Sequence, residues 1–127
     1  MTQPFRALAR RTWRAGAVTA VLLGALLYPG SGSGNGGLAD FFAPPAGPAD
    51  LAEIAAHFSI FVLFTYVWYR TLTNLAPALG VTVAIGIALA FGTEFAQLLV
   101  QRGVSVFDLA ANLLGVIASA AFLHHRP

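Results

Sequence analysis

The sequence predicts an all-α integral membrane protein, a bundle of four transmembrane helices with both termini in the cytoplasm (N-in, C-in). Three observations lead there. Of 127 residues, 57% are hydrophobic and only 9% charged, whereas a soluble domain carries roughly 25% charged residues. The apolar residues are gathered into four runs, and a run of roughly 20 such residues crosses a bilayer. When these runs alternate across the membrane, Arg6, Arg10, Arg11, Arg14, Arg70 and Arg126 fall on one side and Arg102 on the other. Cytoplasmic loops carry the excess of positive charge, so the crowded side is inside.

The length makes one domain, read as a basic cytoplasmic N-terminus over 1–14 and a transmembrane domain over 15–127. Lysine is absent, so the net charge of +2 comes from arginine against five acids. Cysteine is absent too, which excludes disulfides, thiolate metal sites and a cysteine nucleophile. Four of the seven arginines form one short N-terminal cluster that offers no groove-sized basic surface, so no nucleic-acid partner is expected.

The first run, about 12–28, follows the N-terminal arginines and has Trp13 and Tyr28 near its ends as interfacial anchors. A secretory signal peptide has the same outline, but the following Pro-Gly-Ser-rich segment lacks an A-x-A cleavage site, which favours a retained helix. Residues 29–50 are rich in Gly, Pro and Ser and predict an extracytoplasmic loop. The second span, about 51–69, closes on Tyr66, Trp68, Tyr69 and Arg70, an aromatic belt followed by a cation. The third, about 76–98, lies in an apolar stretch long enough to tilt or protrude. The fourth, about 106–123, ends before His124, His125 and Arg126.

With this topology Asp40, Asp50, Glu53, Glu94 and Asp108 all lie in the outer half, as does His57. Polar residues in spans are costly, face the bundle interior and mark function. Glu53 and His57 are spaced i,i+4, Glu94 and Gln97 i,i+3, and Asp108 and Asn112 i,i+4, so each pair shares one helical face. His57, Glu94 and Asn112 each lie ~10–12 Å from the outer helix ends, at the usual rise. Gly86 and Ala90 continue one stripe inward and Gly115 and Ser119 the other, and small residues let helices approach closely. The polar cluster is therefore expected inside the bundle.

The segment GTEFAQLLVQRGVSVFDLAANLLGVIAS resembles the signature region of the VanZ-like family, in which a Glu-x-x-Gln pair precedes an Arg and an Asp-x-x-x-Asn helix. Here these are Glu94, Gln97, Arg102, Asp108 and Asn112, with His57-Phe58 matching a His-Phe pair on an earlier span. The resemblance covers about 50–123 and departs at one place: members commonly carry Asp four residues before the His, where this chain has Glu53 and its nearest Asp is Asp50. It implies a multi-pass protein of the bacterial cytoplasmic membrane with a role in envelope physiology. The family's namesake is associated with teicoplanin resistance, which membership by itself does not confer.

Each residue also has a plainer reading. Ser105-Val-Phe-Asp108 has the form of a capping box, and Asp50-Leu-Ala-Glu53 an analogous one, so for Asp108 and Glu53 the two readings are balanced. Glu94 lies inside an apolar helix, where an unpaired carboxylate costs several kcal/mol, so it must be paired, protonated or hydrated. An ion pair from Arg102 to Glu94 or Asp108 is its simplest structural account; the alternative is that Arg102 grips an anionic head group or phosphate. Gln97 and Asn112 are most simply interhelical hydrogen-bonding groups. A metal site built from His57 and the acids is the disfavoured alternative, because no Glu-x-x-His or His-x-x-x-His pair occurs, so neither a metal nor another cofactor is expected. Ser59 and Thr93 are poorly placed as nucleophiles, and covalent catalysis is not supported.

Two functions stay open. One is an outward-facing pocket for a polar, anionic or lipid-linked envelope ligand, with His57, Glu94 and Asp108 as candidate catalytic groups and Glu53, Gln97, Arg102 and Asn112 as binding groups. The other is an accessory membrane subunit whose polar residues only lock the helices together. Whether the first includes catalysis is not decided by the residues, nor is the oligomeric state.

Overall fold

Among the described residues every regular element is helical: α1 (Gln3–Leu27), α2 (Leu38–Phe41), α3 (Pro48–Leu72), α4 (Ala78–Leu99) and α5 (Val106–His124). The computed structural model describes residues 3–27, 38–74, 77–100 and 103–125, and of residues 3–8, 38 and 39 the backbone alone. Helices α3, α4 and α5 are long and apolar enough to cross a membrane; their 25, 22 and 19 residues reach about 28 to 38 Å against the ~30 Å hydrocarbon layer.

Helix α1 differs. It is 25 residues long and already helical at Gln3, so the arginines expected on a separate tail stand on the helix itself. Its arginine-free portion, 15–27, measures about 20 Å. The loop expected over 29–50 is also interrupted, by the single turn of α2, on which Phe41 packs edge-on against Phe42 with ring centroids 4.9 Å apart. Helix α3 begins before the expected position because Pro48 occupies its first turn. Proline's fixed φ suits that place, and its missing N–H is an unbonded donor there in any case. Similarly Pro77 precedes α4 in an extended conformation, which trims the expected start at 76.

Side-chain pairings give the directions. Helix α1 runs antiparallel to α3, with Trp68 Nε1 donating to Thr19 Oγ1 at 2.8 Å, and Leu26 packs with Phe61, Ala90 and Val116 in the apolar core. Trp68, expected as part of the aromatic belt, is half-buried and ties α1 to α3. Helices α3 and α5 run parallel and approach most closely at Gly115, where a Cβ would stand 2.5 Å from the Phe58 carbonyl oxygen. Helix α4 is antiparallel to α5, with Gly86 so near Val116 that a Cβ would meet its Cγ2 at 2.9 Å. The two small-residue stripes thus face neighbouring helices.

The distribution of side chains is inverted relative to a soluble protein. Among the described residues, buried polar side chains, including His57, Thr82, Gln97 and Asn112, are as numerous as buried apolar ones. Large apolar residues such as Phe91, Phe95, Leu99, Leu114 and Ile117 are exposed. Water would penalise that surface over all of α4 and α5; hydrocarbon would not.

Candidate functional site: a polar network at one end of the bundle

The N-terminal turns of α3 and α5 and the C-terminal turns of α4 meet at one end, and their caps set which side chains turn inward. At α3 the extended Gly47 is the N-cap, and Asp50 Oδ2 accepts from the Ala46 and Gly47 amides at 2.7 and 3.2 Å. Asp50 is therefore the capping acid. Glu53, expected to share that role, lies one turn further in, half-buried on the face that carries His57. At α5 the Ser105 Oγ accepts from the Phe107 amide at 3.1 Å. That cap starts the helix so that Asp108 and Asn112 are both buried.

Three helices then join through one carboxamide. His57 Nδ1 and Asn112 Oδ1 are 3.0 Å apart, and Asn112 Nδ2 donates to Glu94 Oε1 at 3.2 Å. His57 and Asn112 are fully buried and Glu94 is 5% exposed. Gln97 is fully buried as well, and its Nε2 donates to the Leu26 carbonyl at 3.3 Å, bringing α1 into the same region. Its Oε1 has no hydrogen-bond partner among the described residues.

Nearer the helix ends than this relay, Glu53, His57 and Asp108 present donor atoms within 4.8 Å of one another. One imidazole and two carboxylates are a donor set that zinc and similar divalent ions accept. Donors on one such ion stand ~3–4 Å apart, so this set would have to close by about an ångström to grip it. Helical spacing places Glu53 and His57 on one face, and Asp108 arrives from another helix through the packing of α5 on α3. Glu53, His57, Glu94 and Asp108 each make further interactions.

Glu53 and Asp108 also line an open cleft of about 270 Å³, together with Asp40, Asp50 and the loop at 43–46. Asp40 and Asp50 are cleft residues that the motif-based reading passed over. The available signal was their placement, because all five acids of the chain belong to this end. The remaining sequence-derived candidate, Arg102, lies outside the described residues. Ser59 Oγ donates to Ala55 O at 2.7 Å and Thr93 Oγ1 to Ala90 O at 2.9 Å, so both hydroxyls are turned back on their own helices.

The arrangement can do two things chemically. Its carboxylates accept hydrogen bonds from hydroxyl or ammonium groups in the cleft, and its fully buried imidazole, held by Asn112, lies behind Glu53 and Asp108, so any proton it exchanges with the cleft passes through those two acids. The chain matches no family model, no curated protein and no solved structure.

Proposed function

We propose that the chain is a VanZ-like integral protein of the bacterial cytoplasmic membrane whose acid-lined cleft faces outward and binds the polar part of a cell-envelope component. In this reading all four long helices cross the bilayer, with both ends in the cytoplasm. The arginines of α1 and Arg70 then stand at the inner surface, where the positive-inside rule puts them. The short arginine-free part of α1 is accommodated because arginine stems can extend along apolar surface to carry their charge to the interface.

The observation that carries the proposal is continuity. From the cleft, Glu53 and Asp108 lead to His57, then Asn112, then Glu94, a single polar path running from the helix ends into the bundle. A network whose only task was to hold helices would not need to open into a cleft. Four carboxylates around that opening repel an anion, which shifts the expected ligand from an anionic group to one rich in hydroxyls or amines, such as the sugar or amino portion of a lipid-linked precursor. An anion there depends on Arg102.

The accessory-subunit reading has its own support. Asn112 and Gln97 tie α1, α3, α4 and α5 together, as interhelical polar groups do in purely structural roles. The discriminating experiment compares wild type with His57, Glu94 and Asp108 variants in a susceptible host, measuring teicoplanin susceptibility beside membrane protein level. Loss of tolerance at unchanged level supports the pocket. Unchanged tolerance throughout, with a stoichiometric partner recovered in mild detergent, supports the accessory role.

A further inference from the structure

The opposite end of the bundle carries a second site, independent of the acid-lined cleft. We infer that the groove between α1 and α3 holds an anionic phospholipid, with its phosphate on Arg11, Arg14 and Arg70. These three side chains line one cavity of about 650 Å³, whose walls include Ala15, Val18 and Val67.

Charge is the first argument. All three arginines are exposed, and the five acids of the chain, Asp40, Asp50, Glu53, Glu94 and Asp108, belong to the other end of the bundle. Among the described residues no carboxylate is at hand to neutralise the groove, which leaves it open to an external anion. Guanidinium groups bind phosphate through paired N–H donors, and basic pockets between membrane helices collect acidic head groups.

Geometry is the second. The arginines come from two different helices, and those helices are fixed to one another: Trp68 donates to Thr19 at 2.8 Å, and Ala15 is 1% exposed in the α1 packing. The groove is therefore a built feature, unlike a row of charges on a free tail. Its threonine hydroxyls are already committed, with Thr71 Oγ1 donating to Val67 O at 2.9 Å and Thr73 Oγ1 to Arg70 O at 3.3 Å, which leaves the guanidinium groups, with the Tyr66 hydroxyl beside them, as its anion-binding donors.

The apolar walls distinguish lipid from a free anion. Val18 and Val67 continue the groove away from the arginines, with Tyr66 beside them, and an acyl chain descending from a phosphate at Arg14 and Arg70 would lie on them. A soluble phosphate gains nothing from that surface; a glycerophospholipid buries its chain there.

The test uses the full chain in nanodiscs of phosphatidylcholine with a minor fraction of phosphatidylglycerol, reading lipid carried by the protein in native mass spectrometry. Wild type should retain phosphatidylglycerol above its share of the disc, and Arg14→Gln or Arg70→Gln should weaken that preference about fivefold each, the effect of ~1 kcal/mol per basic residue near a charged surface. Arg10 is exposed but does not line the groove, so Arg10→Gln should leave the preference unchanged. An equal loss with Arg10→Gln would overturn the proposal in favour of diffuse charge, and so would absence of any preference in wild type. Inorganic phosphate displacing the lipid at equal concentration would assign the groove to a free anion and equally sink the lipid reading. Should one variant fail to accumulate, Arg11→Gln supplies the same comparison.

Discussion

Asn112 donates its side-chain N–H to Glu94 Oε1 at 3.2 Å, and this one bond orders the protons of the network beyond it. An ionised Glu94 can only accept, so in that state the amide nitrogen of Asn112 faces Glu94 and its oxygen faces His57. At 3.0 Å from that oxygen, His57 Nδ1 must carry a hydrogen. The lone pair of a neutral imidazole is then on Nε2. An ionised carboxylate on α4 would thereby set the tautomer of a histidine on α3 through a residue of α5.

Breaking the bridge should loosen the bundle measurably. Asn112→Ala removes both bonds, and interhelical hydrogen bonds in membranes are worth roughly 0.6–1.7 kcal/mol each, so a loss of about 1–3 kcal/mol is expected in thermal unfolding in detergent. Asn112→Asp should be worse than Asn112→Ala, because it sets a second carboxylate against Glu94 in a desolvated interface. A more stable Asp variant would contradict the proton assignment.

Glu94→Gln separates structure from chemistry. Its amide oxygen still accepts from Asn112, so the network's shape is kept while its charge is removed. Under the proposed function the variant accumulates at wild-type level and loses teicoplanin tolerance. Failure to accumulate would mean that the acid is a structural element.

Glycine substitutions should rank by what each new methyl meets. Gly115→Ala drives a Cβ to 2.5 Å from backbone at Phe58, whereas Gly86→Ala meets the end of the Val116 side chain at 2.9 Å. Backbone of a packed helix yields less than a side-chain methyl, so Gly115→Ala should cost more, in the range of about 1–3 kcal/mol for overpacking. Gly92 has open space around its Cβ position, and Gly92→Ala should be neutral or stabilising by up to ~1 kcal/mol through helix propensity. Reversal of this order in thermal-shift measurements would show that the α3–α5 approach is wrong.

Topology is tested by reporter fusions. One placed after Gly36 should behave as extracytoplasmic, and one after Asn74 as cytoplasmic. If both report the same compartment, α1 and α3 do not both cross the bilayer as proposed. If the two are exchanged, the acid-lined cleft faces inward.

How much of this molecule is written locally can be seen by comparing particular residues. Hydropathy alone determined three apolar helices near α3, α4 and α5, and the i,i+3 and i,i+4 spacings of Glu53, His57, Glu94, Gln97, Asp108 and Asn112 determined that each pair shares a helical face. Both properties belong to a single helix and repeat along its axis, so sequence carries them. What only the tertiary structure decided is where one helix stands against the next. The approaches at Gly115 and Gly86 fix axial register, and that register brings Asp108 to Glu53 and His57 and sets Asn112 between His57 and Glu94, while the packing of α1 on α3 gives Trp68 its partner Thr19. The cap at Gly47 likewise assigned the capping role to Asp50 and left Glu53 to the cleft. Periodicity gives the angle of a side chain about its own helix; the partner it meets depends on rotations and translations between helices, set by close packing between residues far apart in the chain.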